Sequence, residues 1–568
     1  MSRMKRFVAA AAVAGVGVAL LAACSSSGGK KSGGSAPPPT NAAANGVNDM
    51  ATTARSGVKQ GGTFVWGLSQ TIPNFNYNEL DGTLQDNVYV LNAIEPQPFH
   101  FNAAGVPSVE SDYFTSITKT SDSPLTIDYK INPKAKWSDG SALSYQDLAA
   151  EAAACNGKNT AFKVAGTQGY DQIQDVKQGA NAQEAIVTFT KPYADWQSLF
   201  SPLFPHTLDD TPAAFNKAWA DHPLVTSGPF KWGSQDKTAQ SYTVVRDPSW
   251  WGNQAKLDSI TFKAYDSPSA AVQAMGSHQV DYYDISGGGA YQNMQALHGY
   301  TGVAIRQAGG SNYRQFTFNT KDAILSDPQV RQAVFLGIDR ARITTLLMGN
   351  LGGTPTPLNN HIFLKNQAAY KEECGDLCTY NPAKAKQILE ADGWKLNGTY
   401  YQKGGKTLSL AITIPADTPN ANQESETAQA TLKAAGIQLT LNTVPSNDFF
   451  DKYINVGKFQ ITTFTWLGTP FPVGGSVSIY KYDPSNIGQN YGSGGNTTIN
   501  TLLAQSIQST TPAQENDLAN QADAEIWKNA AWLPLYQRPQ IFGVNDKLVN
   551  LGAPGFADYH YEDIGFKA

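Results

Sequence analysis

SDPQVRQAVFLGIDRARITTLLMGN, residues 326–350, opens on an aspartate followed by proline and closes on Gly349-Asn350. Asp327 suits an N-cap, and Pro328 suits the first helical position, where a missing N–H is no loss. Val330, Val334, Ile338 and Leu346 then fall on one face at helical spacing, so the stretch is read as an amphipathic helix.

The same signals recur on either side. In YNPAKAKQILEADGW (380–394), Asn381 and Pro382 start a helix, Ala385, Ile388 and Leu389 share its face, and Gly393 lies past its end. A helix ending at Gly436 passes into IQLTLNTV (437–444), where Ile437, Leu439 and Leu441 alternate as one buried strand face. Further upstream, LTIDYKIN (125–132) alternates before PKAKWSDGSALSYQDLAAEAAACNG (133–157). There Asp139-Gly140 makes a turn, Ser144 caps a helix with Asp147 three residues on, and Asn156-Gly157 stops it. GGTFVWGLSQTIPNFN (61–76) reads as a strand and a Pro/Asn-rich loop. The mix is α/β without repeats.

The beginning of the chain is of another kind. Arg3, Lys5 and Arg6 precede an apolar run from Phe7 to Ala23, a signal-peptide profile too short to be comfortable across a bilayer of roughly 30 Å. Leu21, Ala22, Ala23 and Cys24 resemble the bacterial lipobox, which implies cleavage before Cys24, a lipid on its thiol and a place on the extracytoplasmic face of the cell membrane. The following Ser, Gly, Ala and Pro-rich segment to residue 60 cannot bury enough apolar surface to offset its ordering entropy, and reads as a tether with a reach of roughly 30 Å. The folded part is expected from Gly61.

Composition bounds the rest. The chain has 568 residues, 16% charged and 11% aromatic, enough for two or three domains. Its net charge of -5 argues against nucleic acid as a partner. Cys374 and Cys378, in EECGDLC, suit a disulfide closing a small loop outside the cytoplasm, worth about 2 kcal/mol on a chain-entropy basis. A zinc site would need a second ligand pair, and Cys155 is read as a buried, unpaired thiol. There is no H-E-x-x-H and no G-x-S-x-G, and the seven histidines are scattered, so no enzyme activity, metal or cofactor is expected.

Taken in order, GGTFVWGLS, KWSDGSALSYQDL, TSGPFKW, VVRDPSWWG, FTFNTKDAILSDPQVRQAVFLGIDR, NPAKAKQILEADGW, AAGIQL and WLPLYQ resemble the family 5 extracellular solute-binding proteins. These are the receptors of oligopeptide, dipeptide and nickel ABC importers. The resemblance implies a periplasmic-binding-protein type II-like α/β fold, with two lobes on a two-strand hinge and an inserted third domain. It places lobe I at 61–95, 225–311 and 540–568, the inserted domain at 96–224 and lobe II at 312–539. It also implies an ABC permease and its ATPase as partners, and a monomeric receptor.

In peptide-binding relatives the strand equivalent to FTWLGTPFPVGG (464–475) runs into an aspartate that pairs with the peptide's amino terminus. Here Thr469 takes that place, and no acid occurs between Phe464 and Lys481. An ammonium buried without a counter-charge costs several kcal/mol, so a neutral polar ligand such as a glycan competes with peptide. Trp466 and Thr469, with Trp66, Asn76, Ser227 and Tyr313 carried over by resemblance, are the ligand-binding candidates. Trp137, Asp139, Arg331, Asp339 and Arg340 are assigned to turns, helix ends and ion pairs. PFHFNAAGVPSVESDYFTSITKTSDSPLTIDYKINPKAKWSDG (98–140) is especially similar to an actinobacterial branch, which includes a mycobacterial lipoprotein tied to phosphatidylinositol mannoside synthesis. That implies an alternative, a regulatory lipoprotein of the same fold binding a glycolipid.

Overall fold

The computed structural model describes residues 47–568 apart from 266, 288, 353, 354, 417, 485 and 486, so the signal segment, Cys24 and most of the tether lie outside the described residues. Ten strands form the main sheet: β1 (Thr63–Leu68), β2 (Phe230–Asp236), β3 (Ser241–Arg246), β4 (Ser259–Ala264), β5 (Tyr282–Asp284), β6 (Val303–Phe318), β7 (Ser409–Pro415), β8 (Gln438–Val444), β9 (Ile461–Leu467) and β10 (Trp532–Asn545). Their order across the sheet is β8-β7-β9-β6-β10-β5-β1-β4-β3-β2.

The two central strands are the longest, and they alone run through both halves. The first part of β6 pairs with the end of β10 beside β5, while its last part, Asn312 to Phe318, pairs with β9. Their ladder shifts between Gly309 and Tyr313. A Cβ on Gly310 would collide with the carbonyl of Arg538, so this close approach needs glycine. The molecule is therefore two lobes joined by two strands.

Two apolar cores flank the main sheet, and the larger also takes in Val272, Met275 and Tyr283 from the lobe I side. Phe64, Val90, Leu91 and Ile260 lie in one, and Phe316, Val334, Ile412 and Leu432 in the other. A third core belongs to a four-stranded antiparallel sheet of Phe114–Asp122, Leu125–Ile131, Glu184–Phe189 and Ile173–Gln178. Leu125, Ile127, Tyr129 and Ile131 bury one face of that sheet at period two, and the helix Tyr145–Cys155 carries the predicted capping box of Ser144 and Asp147. Cys155 is free and buried. Among the described residues no helix is long and apolar enough to cross a membrane.

Just past the hinge, Arg314 and Glu424 form a buried bidentate ion pair, with Nε to Oε1 at 2.8 Å and a terminal nitrogen to Oε2 at 2.6 Å. Thr463 and Tyr536 donate to the same carboxylate, so β6, β9, β10 and the helix Pro419–Ala434 meet in one network.

Three expectations are corrected. Residues 326–350 form two helices, Pro328–Gly337 and Arg340–Met348, because Asp339 accepts the Arg342 N–H and caps a second start; Leu346 is exposed. Arg331 and Arg340 donate to backbone carbonyls of Asn529, Leu325, Leu358 and Pro534, and among the described residues neither forms an ion pair. Residues 47–60, read as tether, pack on lobe I. Asp49 pairs with Arg306, Asp49–Met50 adds a short strand to Gly552–Ala553, Arg55 pairs with Asp563 and Val58 is buried. Composition missed these anchors because they are few and widely spaced. Cys374 and Cys378 are joined as a disulfide, their Cα atoms 5.3 Å apart.

Two stability outcomes follow. Glu424→Ala strands Arg314 as a buried charge and is expected to cost about 3–5 kcal/mol in urea unfolding; a loss under 1 kcal/mol would contradict the network. Starting the chain at Gly61 exposes the pocket of Val58 and is expected to cost about 2 kcal/mol against a start at Val47 in the same assay.

Candidate functional site

In open α/β sheets, ligands sit where the carboxyl ends of strands converge. Here β1, β5 and β9 all run their carboxyl ends toward the hinge, and a cleft of about 550 Å³ opens between them. Lobe I supplies Gly67, Ser69, the helix Gln85–Ile94 and the turn after β5; lobe II supplies Leu467 to Pro470; the hinge supplies Gly310 to Asn312 and Arg538 to Gln540.

Three carboxylates line this cleft, and they differ in how far they are satisfied. Asp86 Oδ2 accepts from the Ser69 N–H at 3.2 Å, the Ser69 hydroxyl at 2.6 Å and the Gln70 N–H at 3.1 Å. Asp558 accepts the Phe101 N–H at 2.8 Å and lies 3.8 Å from His100. Asp284, the last residue of β5, is exposed to the cleft, and its hydrogen-bond partner among the described residues is Ser286, whose N–H lies at 2.8 Å. Desolvation in the cleft holds both Asp86 and Asp284 above the ordinary carboxylate range; the Ser286 hydrogen bonds and the Arg538 charge pull Asp284 back only in part.

Arg538 faces them from the hinge. It donates to the Ser286 carbonyl and, at 3.4 Å, to Thr465 Oγ1. Among the described residues it has no carboxylate within ion-pair distance, and burial, reinforced by Arg314, depresses its guanidinium.

Of the six residues expected at the ligand, Thr469 lines the cleft, exposed beside Leu467 and Gly468, with its carbonyl held by Gln367. The other five lie elsewhere. Trp66 is packed in an aromatic core against Tyr89 and Tyr282, with ring centroids 4.8 Å and 4.7 Å away. Asn76 organises a loop, donating to the Phe215 carbonyl and accepting from Asn78. Ser227 donates to the Lys136 carbonyl, next to a Gly228 that fits only because a Cβ would meet the backbone of Ala93 and Ile94. Trp466 and Tyr313 are cross-strand neighbours buried under lobe II, the indole against Phe464 and Tyr491 and the phenol 3.4 Å from that of Tyr480. Alternation along a strand puts Trp466 and Leu467 on opposite faces, and the cleft takes the Leu467 side. Asp284 and Arg538 were the residues missed. The signal available was a single charge following an apolar strand, in DYYDIS and LPLYQRP.

Away from the cleft lining, the inserted sheet domain is hydrogen-bonded to lobe II. The Ala194 N–H donates to Ile507, the Gly474 N–H donates to Asp195 Oδ2 at 2.8 Å, and Gln168 donates to the Gly474 carbonyl. Asp195 also shares a hydrogen bond with Glu515 from the helix Pro512–Asn529. Burial raises both carboxyls, Asp195 to about 6 and Glu515 to about 9, where the Asp195 charge adds to the effect. The two carboxyls hold a proton between them across this contact.

Two lobes, two crossing strands and a charged cleft at the crossing define a hinged binding protein. The chain belongs to the bacterial extracellular solute-binding proteins, family 5, whose model matches residues 108–488. It is 34% identical over 529 residues to the oligopeptide-binding protein OppA of Mycobacterium tuberculosis, covering 92% of this chain and 88% of the relative. It is 23% identical over 412 residues to the probable monoacyl phosphatidylinositol tetramannoside-binding protein LpqW of the same organism, covering 66% and 64%. Among solved structures, the periplasmic EDTA-binding protein EppA superposes with a TM-score of 0.84 at 24% identity, over 92% of this chain and 98% of that one. The Bacillus subtilis oligopeptide-binding protein AppA, solved with a nonapeptide, superposes at 0.72 and 19% identity, over 90% and 100%.

The Asp195–Glu515 contact makes the docked interface pH-dependent. Both carboxyls bind protons more tightly folded than unfolded, so their contribution is fully present near pH 4 and is lost as the pH rises toward about 9. Glu515→Gln still donates to Asp195 without carrying a titrating proton. It is expected to melt with the wild-type chain at pH 5 and above it at pH 9, the gap growing by up to about 1.4 kcal/mol per pH unit; parallel melting curves at both pH values would contradict this.

Proposed function

We propose that the chain is the extracytoplasmic binding component of an ABC importer, held at the membrane by a lipid on Cys24, and that it captures peptides between its lobes without chemistry of its own. The observation that carries this reading is the position of the cleft. It lies at the β6/β10 crossing, so rotation about the hinge encloses a ligand between both lobes and hides it from water. Support for peptide comes from the 34% identity to a protein named as oligopeptide-binding. The cleft itself adds backbone groups from Gly310 to Asn312 and side-chain charges of both signs, which suit a peptide's amides and ends. A monomeric receptor delivering to a permease and its ATPase is the corresponding assembly.

The test is calorimetry and thermal shift on the full chain with a defined tetrapeptide library. Peptide at a hundred times its Kd is expected to stabilise the folded state by about 2.7 kcal/mol. An unchanged midpoint with every peptide, combined with retention of mannosylated phosphatidylinositol, would replace this reading with the glycolipid one that the LpqW likeness supports. Separately, Cys24→Ser is expected to move the protein from the membrane fraction to the medium.

A further inference from the structure

Beyond the Asn92 end of the cleft lies a second, smaller space of about 40 Å³, and Asn92, Asp558, Tyr559 and Tyr561 line both. No residue of lobe II lines the smaller one. Five carboxylates do, Glu95, Glu110, Asp112, Asp558 and Glu562, against a single imidazole, His100, and no lysine or arginine. Three of these acids are occupied. Glu110 accepts the Asp112 N–H at 3.1 Å and meets His100 Nε2 at 2.8 Å, Asp558 accepts the Phe101 N–H, and Glu562 lies 3.6 Å from His560, whose ring stacks on His100. Glu95 is different: it is 2% exposed, and neither of its carboxylate oxygens has a hydrogen-bond partner. The Asp112 side chain likewise makes no hydrogen bond or ion pair among the described residues, and the charge of Lys134 acts on it without contact. Burial holds the Glu95 carboxyl well above the ordinary carboxylate range, so it keeps its proton while the space is without a cation.

We propose that this space is a side pocket of the cleft that takes the ammonium or guanidinium head of a lysine or arginine side chain, with Glu95 and Asp112 as its acceptors, so that the receptor prefers peptides carrying a basic residue. The proposal rests on the peptide reading above and adds a side-chain preference to it. One helix sets the approach. Asp86, Tyr89 and Asn92 line the cleft at intervals of three along Gln85–Ile94, and Glu95 follows at the same interval, roughly 5 Å further along the axis. A stem of three or four methylenes suits that step, leaving its charged head at the carboxylates. Tyr113, Trp250, Tyr559 and Tyr561 line the pocket, and aromatic walls accept an aliphatic stem and a cation alike. The volume admits a small polar head and not a peptide backbone. A metal ion is the poorer occupant, because among the described residues no three of these groups converge on a metal position.

The experiment measures affinities of the full chain for tetraalanine with free ends in which one alanine at a time is replaced by lysine or by norleucine, which keeps the stem and lacks the charge. At the position that reaches the pocket, the lysine peptide is expected to bind roughly tenfold more tightly than the norleucine one. A cation beside Glu95 expels its proton, so calorimetry in buffers of different ionisation enthalpy is expected to show about one more proton released with lysine than with norleucine. In Glu95→Gln both differences disappear; in Asp112→Asn the affinity ratio shrinks while the proton release stays. Melting curves confirm that each variant is folded, and Asp112→Asn, on a half-buried side chain, decides alone where Glu95→Gln does not fold. Lysine and norleucine peptides bound alike at every position, or a lysine preference unchanged in the folded variants, overturns the side pocket and leaves the peptide reading standing. No binding of any of these peptides, together with failure of the tetrapeptide library, overturns both.

Discussion

The relation between the two lobes passes through one antiparallel pair. β6 and β10 are hydrogen-bonded to each other on both sides of a break between Gly309 and Tyr313, and no other pair in the sheet enters both halves. A continuous ladder would make one stiff sheet. A break with glycine at its closest approach leaves the backbone free to change twist there, while the flanking ladders hold register. The Arg314–Glu424 network sits immediately beyond the break, so the lobe II side of the hinge is clamped by buried, fully hydrogen-bonded charges. Bending is thereby confined to a few residues.

That confinement also explains the electrostatics of the cleft. Arg314 pairs with Tyr536, two residues from Arg538 on the neighbouring strand, and one guanidinium is neutralised by Glu424 while the other is turned toward the cleft. On lobe I, β5 is only three residues long and ends on an aspartate, so the carboxylate emerges where the neighbouring β1 also stops while β10 runs on toward the hinge. Neither charge has a structural duty comparable to that of Glu424. Asp284 is open to the cleft, and Arg538 spends its donors on the Ser286 carbonyl and Thr465 rather than on a carboxylate.

Much of the fold was legible because its signals are local. Ser144 with Asp147, Asp327 with Pro328, and Asn381 with Pro382 each mark a helix start by satisfying orphan N–H groups within a few residues. The misread helix at 326–350 failed for the same local reason: Asp339 offered a second cap inside a periodic run. The site was much less legible. Trp66, Trp466 and Ser227 are residue types that ligands favour, yet each is used by packing that only the tertiary structure reveals. Asp284 and Arg538 carry only a weak local signal, a single charge after an apolar strand; what matters is that topology brings the end of β5 and the middle of β10 to one opening.

The ordered segment before Gly61 bears on how the molecule carries load. Asp49, Arg55 and Val58 fasten the incoming chain to Arg306, Asp563 and the C-terminal strands, and Val58 bridges to Lys567 next to the last residue. Entry and exit of the chain are thus secured on the same lobe. Asp49 ties the segment to Arg306 and to the Gln307 N–H, on the part of β6 that lies in lobe I and ahead of the break at Gly309. A chain held by its N-terminal segment would therefore be held through lobe I, on the near side of the break in the crossing strands.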